Sequence, residues 1–172
     1  MRGYKIVTFK RYPIQMTYSG IVYNPGQLYT QKEPPVAQVR GFHFYRKLWQ
    51  VYDRYSEVFW HRLLAVRSQG DLDEADMIVA TNALYIVREL TPAQALDTLR
   101  REYARETDCN KACIRCYVQR LYYSVCRDMD IDTPWLRLAG VNAEPVNKHR
   151  ELWREAFDAR MDSKLMRAIL LV

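Results

Sequence analysis

The feature that most constrains the fold is an abrupt change in hydrophobic period at Thr91. Before this residue, short segments alternate apolar and polar side chains, which is typical of strands. After it, apolar residues recur at the spacing of a helix face. The change coincides with Thr91-Pro92-Ala93-Gln94, which supplies an N-cap, a proline at the first helical position and a capping-box glutamine. We therefore predict an α+β domain over residues 1–90 and a helical module over residues 91–172 that packs on it.

The first half carries the sequence signals of a small mixed or antiparallel sheet. Asn24-Pro25-Gly26 favours a type II turn, because proline fixes φ at the second position and glycine accepts a positive φ at the third. Aspartate and glutamate crowd residues 70–76, which we interpret as an acidic turn, and two prolines mark residues 32–35 as a loop. Alternation and β-branched or aromatic residues predict strands at residues 4–9, 21–23, 28–30, 58–67 and 83–88.

A strand-to-helix junction lies at the centre of this half. Gly41 precedes the β-prone triplet Phe42-His43-Phe44, and helical spacing of apolar residues starts immediately afterwards. The residues on that helical face are Tyr45, Leu48, Trp49, Tyr52 and Tyr55. We predict that this helix is the main helical partner of the sheet and that the junction sits in the first core.

The second half contains only helical signals. The helix that starts at Thr91 has a buried stripe of Leu96, Leu99 and Tyr103, and Asp108 can cap the next helix. That second helix keeps Ile114, Val118, Leu121, Tyr122, Val125 and Met129 on one face. We also predict a short helix at residues 134–138, ended by Gly140. A final helix from about residue 147 should bury Leu152, Trp153, Ala156, Phe157, Met161 and Leu165.

The composition indicates a folded protein with a basic surface. The 172 residues are 49% hydrophobic, carry a formal net charge of +6 and include 13 tyrosines and four tryptophans. The charge favours anionic partners, and the aromatic residues supply both core and contact surface. The beginning of the sequence lacks an apolar signal segment and no run is long enough to cross a bilayer. We expect a protein that is not secreted and has no membrane span, with reduced cysteines.

Three of the four cysteines lie at helical spacing. Cys109, Cys113 and Cys116 share one side of the second helix of the helical half, roughly opposite its aliphatic stripe. A zinc site would need a fourth ligand, for which His149 is the remaining plausible donor. Because free cysteines are among the most buried residues, we favour packing on a second apolar side over metal binding. The acidic turn also lacks the spacing of a calcium loop, so we predict no metal and no cofactor.

His43 is the one histidine that the sequence suggests as a candidate catalytic or ligand-binding residue. An enzymatic interpretation pairs it with Glu89 and with a tyrosine such as Tyr45. These residue types are similar to the histidine, tyrosine and glutamate of some ADP-ribosyltransferases. The spacing match to that family is loose and its Ser-Thr-Ser signature does not occur, nor does any phosphate loop, nucleophile elbow or metalloprotease motif. We therefore favour a structural role for His43 and a protein that is not an enzyme.

Basic residues of the helical half form the candidate nucleic-acid surface. Arg100, Arg101, Lys111 and Arg115 would contact phosphates through a stripe that also contains tyrosines. The same helices contain Glu102, Glu106 and Asp108, so an ordinary charged exterior with local ion pairs is the competing interpretation.

Several short motifs in the first half occur in an order that resembles an uncharacterised domain family of bacteriophages and large DNA viruses. The resemblance covers residues 4–90. Its motifs are Tyr23-Asn24-Pro25-Gly26-Gln27-Leu28-Tyr29, Arg40-Gly41-Phe42-His43-Phe44, Gly70-Asp71, Thr81-Asn82 and Ile86-Val87-Arg88-Glu89-Leu90. It implies a viral origin without an activity.

Three functions follow as hypotheses from this resemblance and the composition. We favour a viral structural or assembly protein, a minor component of the virion or capsid that acts through contacts with other viral proteins, located in the virion or the host cytoplasm. A basic nucleic-acid-binding accessory protein is the first alternative. A host-directed enzyme similar to ADP-ribosyltransferases is the second. The oligomeric state stays open.

Overall fold

The computed structural model describes residues 1–8, 21–54, 61–126 and 143–170. Seven strands and five helices lie in these ranges, and they confirm the predicted α+β class. The strands are β1 (Arg2–Thr8), β2 (Leu28–Thr30), β3 (Phe42–Tyr45), β4 (His61–Ser68), β5 (Leu72–Ala75), β6 (Ile78–Thr81) and β7 (Ala83–Leu90). The helices are α1 (Leu48–Arg54), α2 (Pro92–Arg105), α3 (Asp108–Cys126), α4 (Ala143–Asp158) and α5 (Lys164–Leu170).

The strands form one antiparallel sheet in the order β2-β7-β4-β1-β3-β6-β5. The long strands β1, β4 and β7 are neighbours, with Tyr4 opposite Ala65 and Leu63 opposite Leu90. β2 and β5 are the outer strands. The three long strands therefore make the centre of the platform on which the other elements sit.

Each face of the sheet carries its own core, because side chains alternate along every strand. On the face that we call the helical face, Ile6, Leu63 and Leu90 join one cluster with buried residues of all five helices. On the second face, Leu64 and Ile86 pack with residues that include Phe42, Phe44, Val66, Val79 and Leu84. The first cluster extends across residue 91, and the division into two domains at that point stays a prediction.

Two local predictions are confirmed because their determinants lie within a few residues of one another. Thr91 accepts a hydrogen bond from the backbone of Gln94, whose side chain accepts one from Thr91 in return, both at 3.2 Å. Gly26 has φ +82°, and the Gln27 amide donates to Asn24 O at 3.3 Å, which is the geometry of a type II turn.

Two predictions for the sheet are wrong. Residues 72–75 do not belong to an acidic turn but form β5, which pairs with β6, a strand that the sequence analysis missed. Asp73 and Glu74 are exposed on this outer strand, where charged residues discourage pairing with another chain. The reversal is confined to Asp76, at φ +55°, and Met77. Residues 21–23 are not a strand, since Val22 alone has a β-bridge.

The predicted final helix is two helices. α4 begins at Ala143, a few residues earlier than expected, and ends at Asp158, and a turn over residues 159–163 precedes α5. The Ser163 hydroxyl accepts from the Met166 amide at 3.2 Å, as an N-cap does, so the sequence carried a local signal for the second start. Leu152, expected to be buried, is exposed. Phe9, Tyr55, the predicted strand at residues 58–60 and the predicted helix at residues 134–138 lie outside the described residues.

Two carboxylates of α2 fix its neighbours. Glu102 accepts hydrogen bonds from the backbone amides of Leu48, at 2.8 Å, and Trp49, at 3.0 Å, and so caps the amino end of α1. Asp97 receives two bonds of 2.9 Å from Arg160, which lies in the turn between α4 and α5. These bonds connect α2 to α1 and to the turn between α4 and α5.

Among the helices in the described ranges, none has the length and apolar character to cross a membrane.

Candidate anion-binding site

Strand register places two arginines side by side on the helical face of the sheet. Arg2 of β1 lies directly opposite Arg67 of β4. Tyr4 and Ala65, the next opposite pair on that face, pack against the helical-face core, so the two arginines occupy the end of the sheet beyond this core. Like charges directly opposite each other on antiparallel strands reduce stability. The arrangement is therefore one that folding alone does not favour.

A β-bulge adds a third arginine to the same face. Ala65 lies opposite Arg88 but Val66 lies opposite Ile86, so Val87 is an extra residue in β7. In a regular strand, Tyr85 and Arg88 would lie on opposite faces because they are three positions apart. The bulge restores both to the helical face. There the Arg67 guanidinium lies over the Tyr85 ring, 5.4 Å from its centroid.

Two further arginines complete the site from other elements. Arg46 comes from the connection between β3 and α1, and Arg101 comes from α2, where it donates to Thr98 Oγ1 at 3.0 Å. Together the five arginines line a cavity of about 450 Å³, with Tyr4, Tyr85 and Thr98 among its other walls. We call this cavity the arginine pocket, defined by Arg2, Arg46, Arg67, Arg88 and Arg101.

The pocket concentrates positive charge that carboxylates do not neutralise. None of the described residues that line it is acidic. Within the described ranges Arg46 alone of the five forms a salt bridge, with Glu74, and the side chains of that pair are 48% and 38% exposed. By contrast, Arg62 pairs with Glu89 and Arg160 with Asp97 elsewhere in the molecule. Five guanidinium groups around one small cavity create a field that attracts anions.

Tyr4 adds a neutral hydroxyl to this charged wall. Burial raises the pKa of the Tyr4 phenol, an effect that Glu102 strengthens and that Arg101, Thr98 and Arg88 oppose. The hydroxyl therefore keeps its proton at neutral pH and does not add negative charge to the pocket. Glu102, although adjacent to Arg101 in sequence, is occupied in capping α1.

The structure distributes the predicted nucleic-acid residues over different surroundings. Arg101 lines the arginine pocket. Arg100 forms an ion pair with Asp97 at 3.3 Å and Lys111 one with Asp108 at 3.5 Å, while Arg115 donates to the Tyr103 hydroxyl at 3.0 Å. The sequence analysis missed the other four arginines of the pocket. Alternation along β1 indicates that Arg2, Tyr4 and Ile6 share a face, and alternation along β4 does the same for Leu63, Ala65 and Arg67. No local sequence signal indicates the bulge that adds Arg88.

His43 and Glu89 are not brought together. His43 is in β3 and Glu89 in β7, with β1 and β4 between them, so three interstrand spacings of about 4.8 Å separate the two strands. Glu89 forms its salt bridge with Arg62. Burial and the neighbouring Lys5 ammonium lower the pKa of His43, which keeps the imidazole neutral at neutral pH. The pairing that the enzymatic interpretation requires is absent from this arrangement of the described strands.

Two of the four cysteines lie on the outer side of α3. Cys109 and Cys116 are exposed, so the expectation that they pack on a second apolar side is wrong for these two, while Cys113 is half-buried against the helical-face core. α3 buries one face only, that of Ile114, Val118, Leu121 and Val125. His149 is buried and accepts a hydrogen bond from Trp153 Nε1 at 3.2 Å. In the part of the chain that the structure describes, no three potential metal ligands cluster.

Comparison with known proteins gives one family. A family model described as a domain of unknown function, DUF7666, matches residues 6–98, which is more than half of the chain. The matched segment contains Arg46, Arg67 and Arg88 of the pocket, whereas Arg2 and Arg101 lie just outside it. No curated protein and no solved structure gives a significant match.

Proposed function

The chain belongs to the DUF7666 domain family, and on the basis of its arginine pocket we propose that it is a nucleic-acid-binding accessory protein. The observation that carries the proposal is the convergence of five arginines, without a lining carboxylate among the described residues, on one cavity. This site takes the place of the stripe on α2 and α3 expected from sequence, and Arg101 belongs to both.

Phosphate is the anion that fits the pocket best. The guanidinium group is planar and forms paired hydrogen bonds with phosphate oxygens, which makes arginine the preferred residue for phosphate recognition. Tyrosines within an arginine-lined surface are typical of proteins that bind single strands, because bases stack on aromatic rings. Tyr4 and Tyr85 lie in that position, and the net charge of +6 favours polyanions over neutral partners.

The test compares pocket variants with a matched control variant. Binding of a single-stranded oligonucleotide is measured by fluorescence anisotropy at several salt concentrations for the wild type and for Arg67→Gln/Arg88→Gln. If both arginines contact phosphates, the slope of log affinity against log salt falls by about 1.4, at about 0.7 for each lost contact. Arg105→Gln/Arg120→Gln removes the same charge from exposed positions outside the pocket. This control should keep the wild-type salt slope and at least half of the wild-type affinity. Equal weakening in both double variants contradicts the proposal.

Protein contacts in a viral assembly are a second proposal, favoured by one apolar surface. A hydrogen bond of 2.7 Å from the Ala37 amide to Asp73 holds the turn over residues 36–40 beside the outer strand β5. Val39 on that turn is 78% exposed and Leu72 at the start of β5 is 42% exposed. Apolar residues gathered at a sheet edge suit a contact with another protein chain. The viral origin and the location in the virion or host cytoplasm belong to this proposal and rest on the sequence resemblance.

Size measurement of the purified protein tests this second proposal. A minor component that assembles through this edge should form larger species as concentration rises, and Val39→Lys should shift them towards the monomer. Leu152→Lys is the matched control, because Leu152 is an apolar exposed residue on α4, away from this edge. Identical behaviour of the two variants would contradict a contact through this edge.

No observation on the described residues favours the enzymatic alternative.

A further inference from the structure

We propose that the arginine pocket receives a single nucleotide through a terminal phosphomonoester group. This inference rests on the proposed function for its site and goes further in naming the chemical group that the site selects. The group is shared by two sources, a free nucleotide and the phosphorylated end of a nucleic-acid strand. Internal phosphodiesters are the alternative that it excludes.

The directions from which the arginines come carry the first part of the argument. Arg2, Arg67 and Arg88 rise from three adjacent strands, while Arg101 approaches from α2 and Arg46 from the connection after β3. Adjacent strands are about 4.8 Å apart, and Arg88 lies two residues along the sheet from the Arg2–Arg67 pair, so the three strand arginines originate within about 12 Å of one another. A surface that follows a nucleic-acid backbone spreads its cations along a groove. Here all five arginines line one cavity.

The charge of the ligand supplies the second part. A phosphomonoester carries about −1.5 to −2 charges near neutral pH and has three terminal oxygens. Each internal phosphodiester carries a single charge. Four arginines of the pocket have no carboxylate partner among the described residues, so the site matches the more highly charged group. The Tyr4 hydroxyl is neutral and does not repel the phosphate.

The volume of the cavity and the fixed positions of two arginines also favour a single nucleotide. A volume of about 450 Å³ lies within the usual range for small-molecule sites and holds one nucleotide, whereas a duplex cannot enter it. Two of the guanidinium groups are held in place before a ligand arrives, Arg67 by the Tyr85 ring and Arg101 by Thr98. Such preorganisation reduces the entropy lost on binding.

The experiment compares ends of otherwise identical strands. Anisotropy is measured for one labelled oligothymidylate with hydroxyls at both ends, with a 5′-phosphate and with a 3′-phosphate. Thymidine monophosphate, thymidine and inorganic phosphate serve as unlabelled competitors. We expect at least one phosphorylated strand to bind about tenfold or more tightly than the hydroxyl strand, because the extra charge meets several guanidinium groups. Arg88→Gln should abolish this difference and Arg105→Gln should preserve it.

The outcomes separate this inference from the proposed function. Equal binding of all three strands, with sensitivity to Arg88→Gln, overturns the inference and leaves nucleic-acid binding standing. Binding of thymidine monophosphate measured directly by isothermal titration calorimetry, without binding of any strand, overturns nucleic-acid binding and supports the inference with a free nucleotide as its source. Inorganic phosphate that competes as well as the nucleotide overturns the nucleotide part. Failure of every probe to bind overturns both.

Discussion

Replacement of Glu102 tests the account of how the helical layer is held on the sheet. Its carboxylate accepts the backbone amides of Leu48 and Trp49, two buried residues at the start of α1. Glu102→Ala leaves both amide groups without an acceptor. A buried polar group that loses its partner costs about 1–3 kcal/mol, so the expected loss for the two amides is about 2–6 kcal/mol of unfolding free energy. For a protein of ordinary stability, about 5–15 kcal/mol, this is a large fraction.

The assay is urea unfolding followed by the fluorescence of the four tryptophans, which include Trp49 in α1. Glu102→Gln should give an intermediate loss, because its amide oxygen can still accept one of the two bonds. Glu151→Ala is the matched control, since Glu151 is exposed on α4, and should change the free energy by less than about 0.5 kcal/mol. A loss in Glu102→Ala no larger than in this control would refute the capping role of Glu102.

Two further predictions concern charge. Arg2→Thr removes the like-charge pair with Arg67, so we expect the variant to gain about 0.2–1 kcal/mol of unfolding free energy at low salt, a gain that high salt reduces by screening; a variant less stable than the wild type at low salt would contradict this. Hydrogen bonds from Arg160 lower the pKa of Asp97, so Asp97 stabilises the fold above the pKa of a free carboxyl, near 4, and this contribution is lost as the pH falls through its folded value. Asp97→Asn should therefore unfold more readily at neutral pH and lose less stability on acidification, as measured by thermal unfolding from pH 7 to pH 3.

Sequence reasoning succeeded where one or two neighbouring residues decide the structure. Thr91 and Gln94 cap α2 through each other, and the turn at Gly26 depends on its own positive φ. The same reasoning failed for β5. Acidic residues are poor strand formers in isolation, and Asp73 and Glu74 are accommodated because β5 is an outer strand paired with β6. That pairing depends on the tertiary fold and cannot be read from the local sequence of β5.

The candidate site was beyond local reasoning for a related reason. Arg2, Arg67 and Arg88 are far apart in sequence, and register alone makes them neighbours. A shift of one residue in β4 would move Arg67 to the second face. The prediction that Arg101 contacts a ligand stays a prediction, and the pocket gives it four partners that no sequence spacing indicated.

The extra residue in β7 acts as a half-period phase shift in the strand. Leu84, Ile86, Arg88 and Leu90 alternate without interruption in the sequence, yet the first two lie in the core of the second face and Leu90 in that of the helical face. If Val87 were paired regularly and did not bulge, one end of the strand would present its leucine to the wrong core. Deletion of Val87 would therefore remove the bulge and leave a regular strand, with Ile86 still in the core of the second face and Arg88 and Leu90 still on the helical face.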